Sequence, residues 1–132
     1  VIYGVFNRTR GEFHYARAGH EPPLILHNDG EISIPTMGLG VPLAMFENPA
    51  LDEQTITIPP GGLMLLYSDG SADTRNREGI RLGEKGFHTA IRQFGVNNSA
   101  QQACQDVYDC LVEYQAGAPQ FDDVTVLAVR RK

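Results

Sequence analysis

The sequence predicts an α/β chain of the α+β kind, with strands first, a helix pair later and a closing strand. Three observations predict it: short alternating runs separated by turn residues up to Tyr67, apolar stripes at helical spacing between Gly83 and Tyr114, and a second apolar strand over Val124–Val129. The 132 residues suit one domain, and 42% hydrophobic content is enough for a core.

The elements follow in order. Val1–Phe6 and Glu12–Arg17 flank an Asn7–Gly11 turn and read as a hairpin. Pro23–His27 and Glu31–Ile34 flank Asn28-Asp29-Gly30, a turn suited to two antiparallel strands. Residues Pro35 to Asp52 carry Gly38, Gly40, Pro42 and Pro49, which disfavour a long helix or a central strand, so a surface loop is expected. Gln54–Ile58 alternates cleanly, Pro59–Gly62 turns the chain, and Leu63–Tyr67 is apolar enough to be buried on both faces. These two runs are expected to pair with each other.

Phe87, Ile91 and Phe94 share one helical stripe within Gly83–Phe94, with Gly95 as its stop. Asn98 or Ser99 caps a second helix that turns Ala103, Val107, Cys110, Leu111 and Tyr114 inward and ends at Gly117 and Pro119. Cys104 and Cys110 on that helix stand roughly 9 Å apart along its axis, too far to bridge, so both are expected as thiols.

Composition removes several classes of function. Eleven basic against sixteen acidic side chains give a net charge of −5, which leaves no basic footprint for nucleic acid or for an anionic membrane surface. No apolar run approaches the length of a membrane span, and the first residues lack a secretory pattern, so a cytoplasmic setting is expected. A protein or small-molecule partner fits this balance.

The chemistry concentrates where apolar strands meet acids. Leu63–Tyr67 runs into Ser68-Asp69-Gly70, and Asp122-Asp123 immediately precedes the last strand. Carboxylates at strand ends suit a hard cation such as Mg²⁺ or Mn²⁺, which prefers oxygen ligands and can activate water. Asp69 and Asp122 are the first candidates; Asp123 is adjacent to Asp122, and because neighbouring strand residues point to opposite faces the two are not expected to ligate together. The plain alternatives are an Asp-Gly turn at Asp69, with Gly70 as its second residue, and a solvated lead-in at Asp122-Asp123. Asp73 reads as a second acid behind the site or as a helix N-cap.

His20 is a ligand or proton donor, or else a strand-end histidine bonded to backbone; His14, His27 and His88 make no metal spacing with it. Gly38 and Gly40 lack the context of a dinucleotide loop, and Ser33, Ser68, Ser71, Ser99 and the cysteines lack a nucleophile setting. An aspartyl nucleophile at Asp69, of the haloacid-dehalogenase kind, wants a second aspartate two positions on, where Ser71 stands.

Three segments in order resemble the metal-dependent protein phosphatases (PPM, type 2C), specifically the bacterial branch around stage II sporulation protein E (SpoIIE) and the sigma-factor regulatory phosphatases. Ala18-Gly19-His20-Glu21-Pro22-Pro23 resembles that branch's Ala-Gly-His-x-Pro-Pro element. Leu66-Tyr67-Ser68-Asp69-Gly70 through Asn76 resembles its Leu-Tyr-Thr-Asp-Gly-x-x-Glu-Ala-Arg-Asn element, with Asp73 where the branch has Glu. Asp122-Asp123-Val124-Thr125 resembles its closing Asp-Asp-x-Thr strand, with Asp123 where many relatives carry Asn.

The resemblance implies an antiparallel β-sandwich with flanking helices and two Mn²⁺ or Mg²⁺ ions at its acidic edge. It implies hydrolysis of phosphoserine or phosphothreonine by metal-activated water, on a regulatory protein such as an anti-anti-sigma factor. Asp69 and Asp122 take ligand positions, with Asp123 beside them, while Gly19, His20 and Gly70 take structural ones and Asp73 stands behind. The family's acidic Gly-Asp-x-x-Asp motif, which carries the carboxylate bridging both ions, lies upstream of the Ala-Gly-His element and is not among these residues. Residues 1–132 are therefore expected to be the C-terminal part of one such domain, an N-terminally incomplete sandwich. Weak or single metal binding follows, with a homodimer or a missing companion segment as partner. A pseudophosphatase or adaptor that binds a signalling partner without turnover is the other reading.

Overall fold

The computed structural model describes residues 1–94 and 99–132. Its first sheet has the order β1-β2-β5, from β1 (Ile2–Asn7), β2 (Glu12–Arg17) and β5 (Asp52–Thr57). The second has the order β4-β3-β6-β7, from β3 (Leu24–Leu26), β4 (Ile32–Ser33), β6 (Leu63–Tyr67) and β7 (Val126–Arg130). All pairings within them are antiparallel. The helices are α1 (Gly70–Asp73), α2 (Gly83–Ile91) and α3 (Ala100–Gln115).

Two apolar layers hold these elements together. Phe13, Tyr15, Ile25, Ile58 and Met64 fill the space between the sheets. Leu24, Leu26, Leu63, Leu65 and Tyr67 meet Phe87 and Ile91 of α2 and Ala103, Val107 and Leu111 of α3 on the second sheet's other face. The near-continuous apolar run of β6 follows from this position, because Met64 faces one layer and its neighbours face the other. Among the described residues, no helix layer covers the outer face of the first sheet, which leaves Tyr3 and Val5 exposed.

The expected hairpins over β1–β2 and β3–β4 form, and the loop before β5 is irregular. The expected pairing of Gln54–Ile58 with Leu63–Tyr67 does not form. Instead β5 pairs with β2, whereas β6 pairs with β3 and β7. Half-burial suits β5 to an edge with one wet face, while β6 needs neighbours on both sides and cover on both faces. Pro59–Gly62 therefore carries the chain from one sheet to the other, with fully buried Ile58 anchoring the crossing.

Ser99 caps α3 by accepting from the Gln102 amide at 3.0 Å, and left-handed Ala116 ends it ahead of Gly117. The alternative cap Asn98 and the stop Gly95 lie outside the described residues. The α2 stripe is present, with Phe87 and Ile91 buried and Phe94 packed just beyond the helix end. Along α3, Ala103, Val107 and Leu111 are buried, while Cys110 and Tyr114 lie at the margin. Both cysteines are free thiols. Among the described residues, no helix is long and apolar enough to cross a membrane.

Candidate metal-binding corner at two strand ends

Strand β6 delivers Asp69 two residues beyond Tyr67, where the chain turns directly into the one-turn helix α1. Asp69 is the N-cap of that helix, its carboxylate accepting from the Gly70 amide at 3.1 Å. Asp73 is the last residue of α1, so the N-cap reading of Asp73 is corrected. It pairs with Arg81 instead.

Asp122 and Asp123 reach the same corner through backbone packing. A Cβ on Gly70 would stand 2.3 Å from the Asp123 carbonyl oxygen and 3.5 Å from the Asp122 carbonyl carbon. Only a glycine after Asp69 lets the two chain segments approach this closely. Ser68 joins them further: its Oγ donates to the Asp123 carbonyl at 3.0 Å and accepts from the Thr125 amide at 2.9 Å. Its own amide donates to the Thr125 carbonyl at 3.0 Å. Ser68 was set aside as a nucleophile, and its role is structural.

Asp122-Asp123 precedes β7 by a short irregular stretch, so strand alternation does not govern where the two side chains point. Asp122 accepts from the Asp123 amide at 2.7 Å, and both residues are exposed.

Gly19 and His20 form the opposite wall. A cleft of about 80 Å³ is lined by Gly19, His20, Glu21, Ser68 and Asp69. Gly19 has φ +57° and donates its amide to the Gly40 carbonyl at 3.0 Å. His20 places Nδ1 2.9 Å from the Glu21 carbonyl, the backbone-bonded histidine that was the plainer of its two readings. His14 lies beside Thr55 and His27 beside Ser33, away from this corner.

Arg17 holds this wall in place and was missed in the sequence. Its guanidinium donates to the His20 carbonyl at 2.7 Å, to the Gly38 carbonyl at 3.1 Å and to Asp52 at 2.8 and 3.0 Å. The alternation Phe13, Tyr15, Arg17 puts all three on the buried face of β2, which was the available signal. Gly38 and Gly40 owe their identity to this arrangement, since a Cβ on either would strike Asp52 or the Arg17 backbone.

Burial raises the Glu21 carboxyl above its ordinary value, and the charges of Glu84 and Asp69 add to the rise. The corner thus concentrates negative charge. Its donors are oxygens, the right chemistry for a hard divalent cation, and Asp69 and Asp122 would hold one from opposite sides of the Gly70 contact. Their number is small. Among the described residues, no three His, Cys, Asp or Glu side chains come together as a metal-holding group. The residues fit one side of a cation site rather than a closed two-ion centre.

The family model of stage II sporulation protein E (SpoIIE) matches residues 1–132. Protein IcfG of Synechocystis sp. is 30% identical over 132 residues, covering 99% of this chain and 20% of that protein. Phosphoserine phosphatase RsbU of Bacillus subtilis is 26% identical over 132 residues, covering 100% of this chain and 38% of that one. The chain therefore spans well under half the length of these relatives.

Among solved structures, the RsbU and RsbW domains of Rv1364c from Mycobacterium tuberculosis superpose with a TM-score of 0.80 at 25% identity, covering 99% of this chain and 35% of that one. The phosphatase domain of SpoIIE from Bacillus subtilis superposes with a TM-score of 0.76 at 12% identity, covering 98% and 55%, and at that identity shows the fold alone. On the family match over residues 1–132, this chain belongs to the stage II sporulation protein E (SpoIIE) family.

Proposed function

We propose that this chain is the C-terminal part of a protein serine/threonine phosphatase domain that depends on Mn²⁺ or Mg²⁺. Its substrate would be a phosphorylated regulatory protein of the anti-anti-sigma kind. The observation that carries the reading is the Gly70 contact, which sets the Asp69 turn against Asp122-Asp123. RsbU, named a phosphoserine phosphatase, is similar over this whole chain.

When bound, a divalent cation supplies Lewis-acid polarisation of a phosphoryl oxygen and activates water. The chain's own residues do the positioning. Asp69 and Asp122 would hold the cation, Ser68 fixes the spacing between their segments through the Asp123 carbonyl and the Thr125 amide, and Gly19 and His20 wall the cleft. Asp123 adds negative charge at the exposed rim, and Asp73 orients Arg81 behind the site.

One observation favours a second reading, an adaptor without turnover: among the described residues the acids do not close a three-ligand group. Phosphate release from a phosphoserine protein, measured with Mn²⁺ on the longest form of the protein that contains these residues, separates the two. Turnover that Asp69→Asn lowers by about a thousandfold or more is expected for the phosphatase. No release above background by the unmodified protein would favour the adaptor.

A further inference from the structure

The segment after α1 carries three arginines within seven residues, Arg75, Arg77 and Arg81, in a chain whose net charge is −5. Arg81 is taken by Asp73, and the Arg77 guanidinium lies against Gly117. Arg75 differs from both. Its Cζ stands 4.0 Å from the ring centroid of Phe121, the residue immediately before Asp122. Its Nε is buried and has no hydrogen-bond partner.

The backbone around Arg75 is firmly held. Thr74 is buried, donates its hydroxyl to the Gly70 carbonyl at 3.0 Å and accepts from the Leu82 amide at 2.8 Å. Arg75 and Arg81 form an antiparallel bridge, and the Asn76 side chain accepts from the amides of Glu78 and Ile80. The guanidinium is thus tied at its root to the Asp69 turn and at its head to the Asp122 segment. An arginine stacked on an aromatic ring keeps its planar fork of donors available, and that fork matches the oxygens of a phosphoryl group.

We propose that Arg75 binds the phosphoryl group of the substrate, its fork oriented by Phe121 on the segment that leads into Asp122. The assignment rests on the phosphatase reading for the identity of that group. Acidic side chains attract a cation but repel a phosphate dianion, so a fixed positive group beside them is needed to hold the anion in place. Arg75 makes no salt bridge with a carboxylate among the described residues and meets that need.

The test uses the longest form of the protein that contains these residues, with Arg75→Ala and Arg75→Lys variants. Inorganic phosphate is titrated by calorimetry with Mn²⁺ present, and KM and kcat are measured on a phosphoserine protein. Arg75→Ala is expected to weaken phosphate binding and raise KM by about ten- to a hundredfold. Arg75→Lys keeps the charge without the fork and is expected to fall between the two. A buttress for Phe121 alone would lower kcat or thermal stability and leave phosphate affinity unchanged, and that result would overturn the assignment.

Phosphate binding needs no turnover. An inactive wild type would therefore remove the phosphatase reading, while the titration would still decide whether Arg75 binds the anion. Phosphate affinity that falls in Arg75→Ala without a change in KM would assign the site to free phosphate and overturn the role in substrate binding.

Discussion

Ser68 shows how a single hydroxyl can set the geometry of an acidic corner without joining the chemistry. It donates to the Asp123 carbonyl and accepts from the Thr125 amide, tying the end of β6 to the approach of β7. Ser68→Ala removes both bonds and leaves a backbone donor and acceptor to find water. A loss of about 1–3 kcal/mol is expected in urea unfolding, with weaker Mn²⁺ binding, while Ser68→Thr retains most of both. A variant as stable as the parent and unchanged in Mn²⁺ affinity would show that the corner does not depend on this link. The acids themselves were legible in sequence because apolar runs lead to them. Ser68, Glu21 and Arg75 were not, because their roles arise from segments that meet only in space.

At the scale of elements, the hairpins, both longer helices and the closing strand were legible from alternation, turn residues and helical stripes. The partner of β5 was not. Alternation reports how many faces of a strand are wet, and it is silent on which strand lies beside it. The same limit hid the link between β2 and β5, where Arg17 and Asp52 meet as a buried ion pair that also supports the His20 wall. Burial pushes the Asp52 carboxyl up, but bonds from Gln54, Arg17 and the Gly38 backbone outweigh it and hold the group below its ordinary value.

A lowered folded-state value means that this stabilisation is present above the unfolded carboxylate range and is lost as pH falls through the folded value. Asp52→Asn leaves Arg17 buried without its counter-charge and is expected to cost about 3–5 kcal/mol at neutral pH. Urea denaturation across pH should show the gap between parent and variant closing only in acid. A gap that is small at neutral pH or independent of pH would mean that the pair does not hold the two strands together.

Across the whole molecule, the two faces of the sandwich are unequal. Helices α2 and α3 cover the second sheet, while the first sheet exposes Tyr3 and Val5 around an open hollow of about 480 Å³ that also includes His14 and Thr55. That hollow is larger than the cleft beside Asp69 and far less suited to a cation, since Glu53 is its one acid. The SpoIIE phosphatase domain to which the fold is similar is longer, this chain covering 55% of it. The proposed metal site therefore centres on the Asp69–Asp122 corner and not on this hollow.

Calorimetric titration of Mn²⁺ into the 132-residue chain and into the longest form that contains it, each beside Asp69→Asn, tests this most directly. Weak binding by the short chain, tighter binding by the long form, and loss of both in Asp69→Asn are expected. Tight binding by the long form that Asp69→Asn leaves unchanged would contradict the assignment of this corner as part of the metal site.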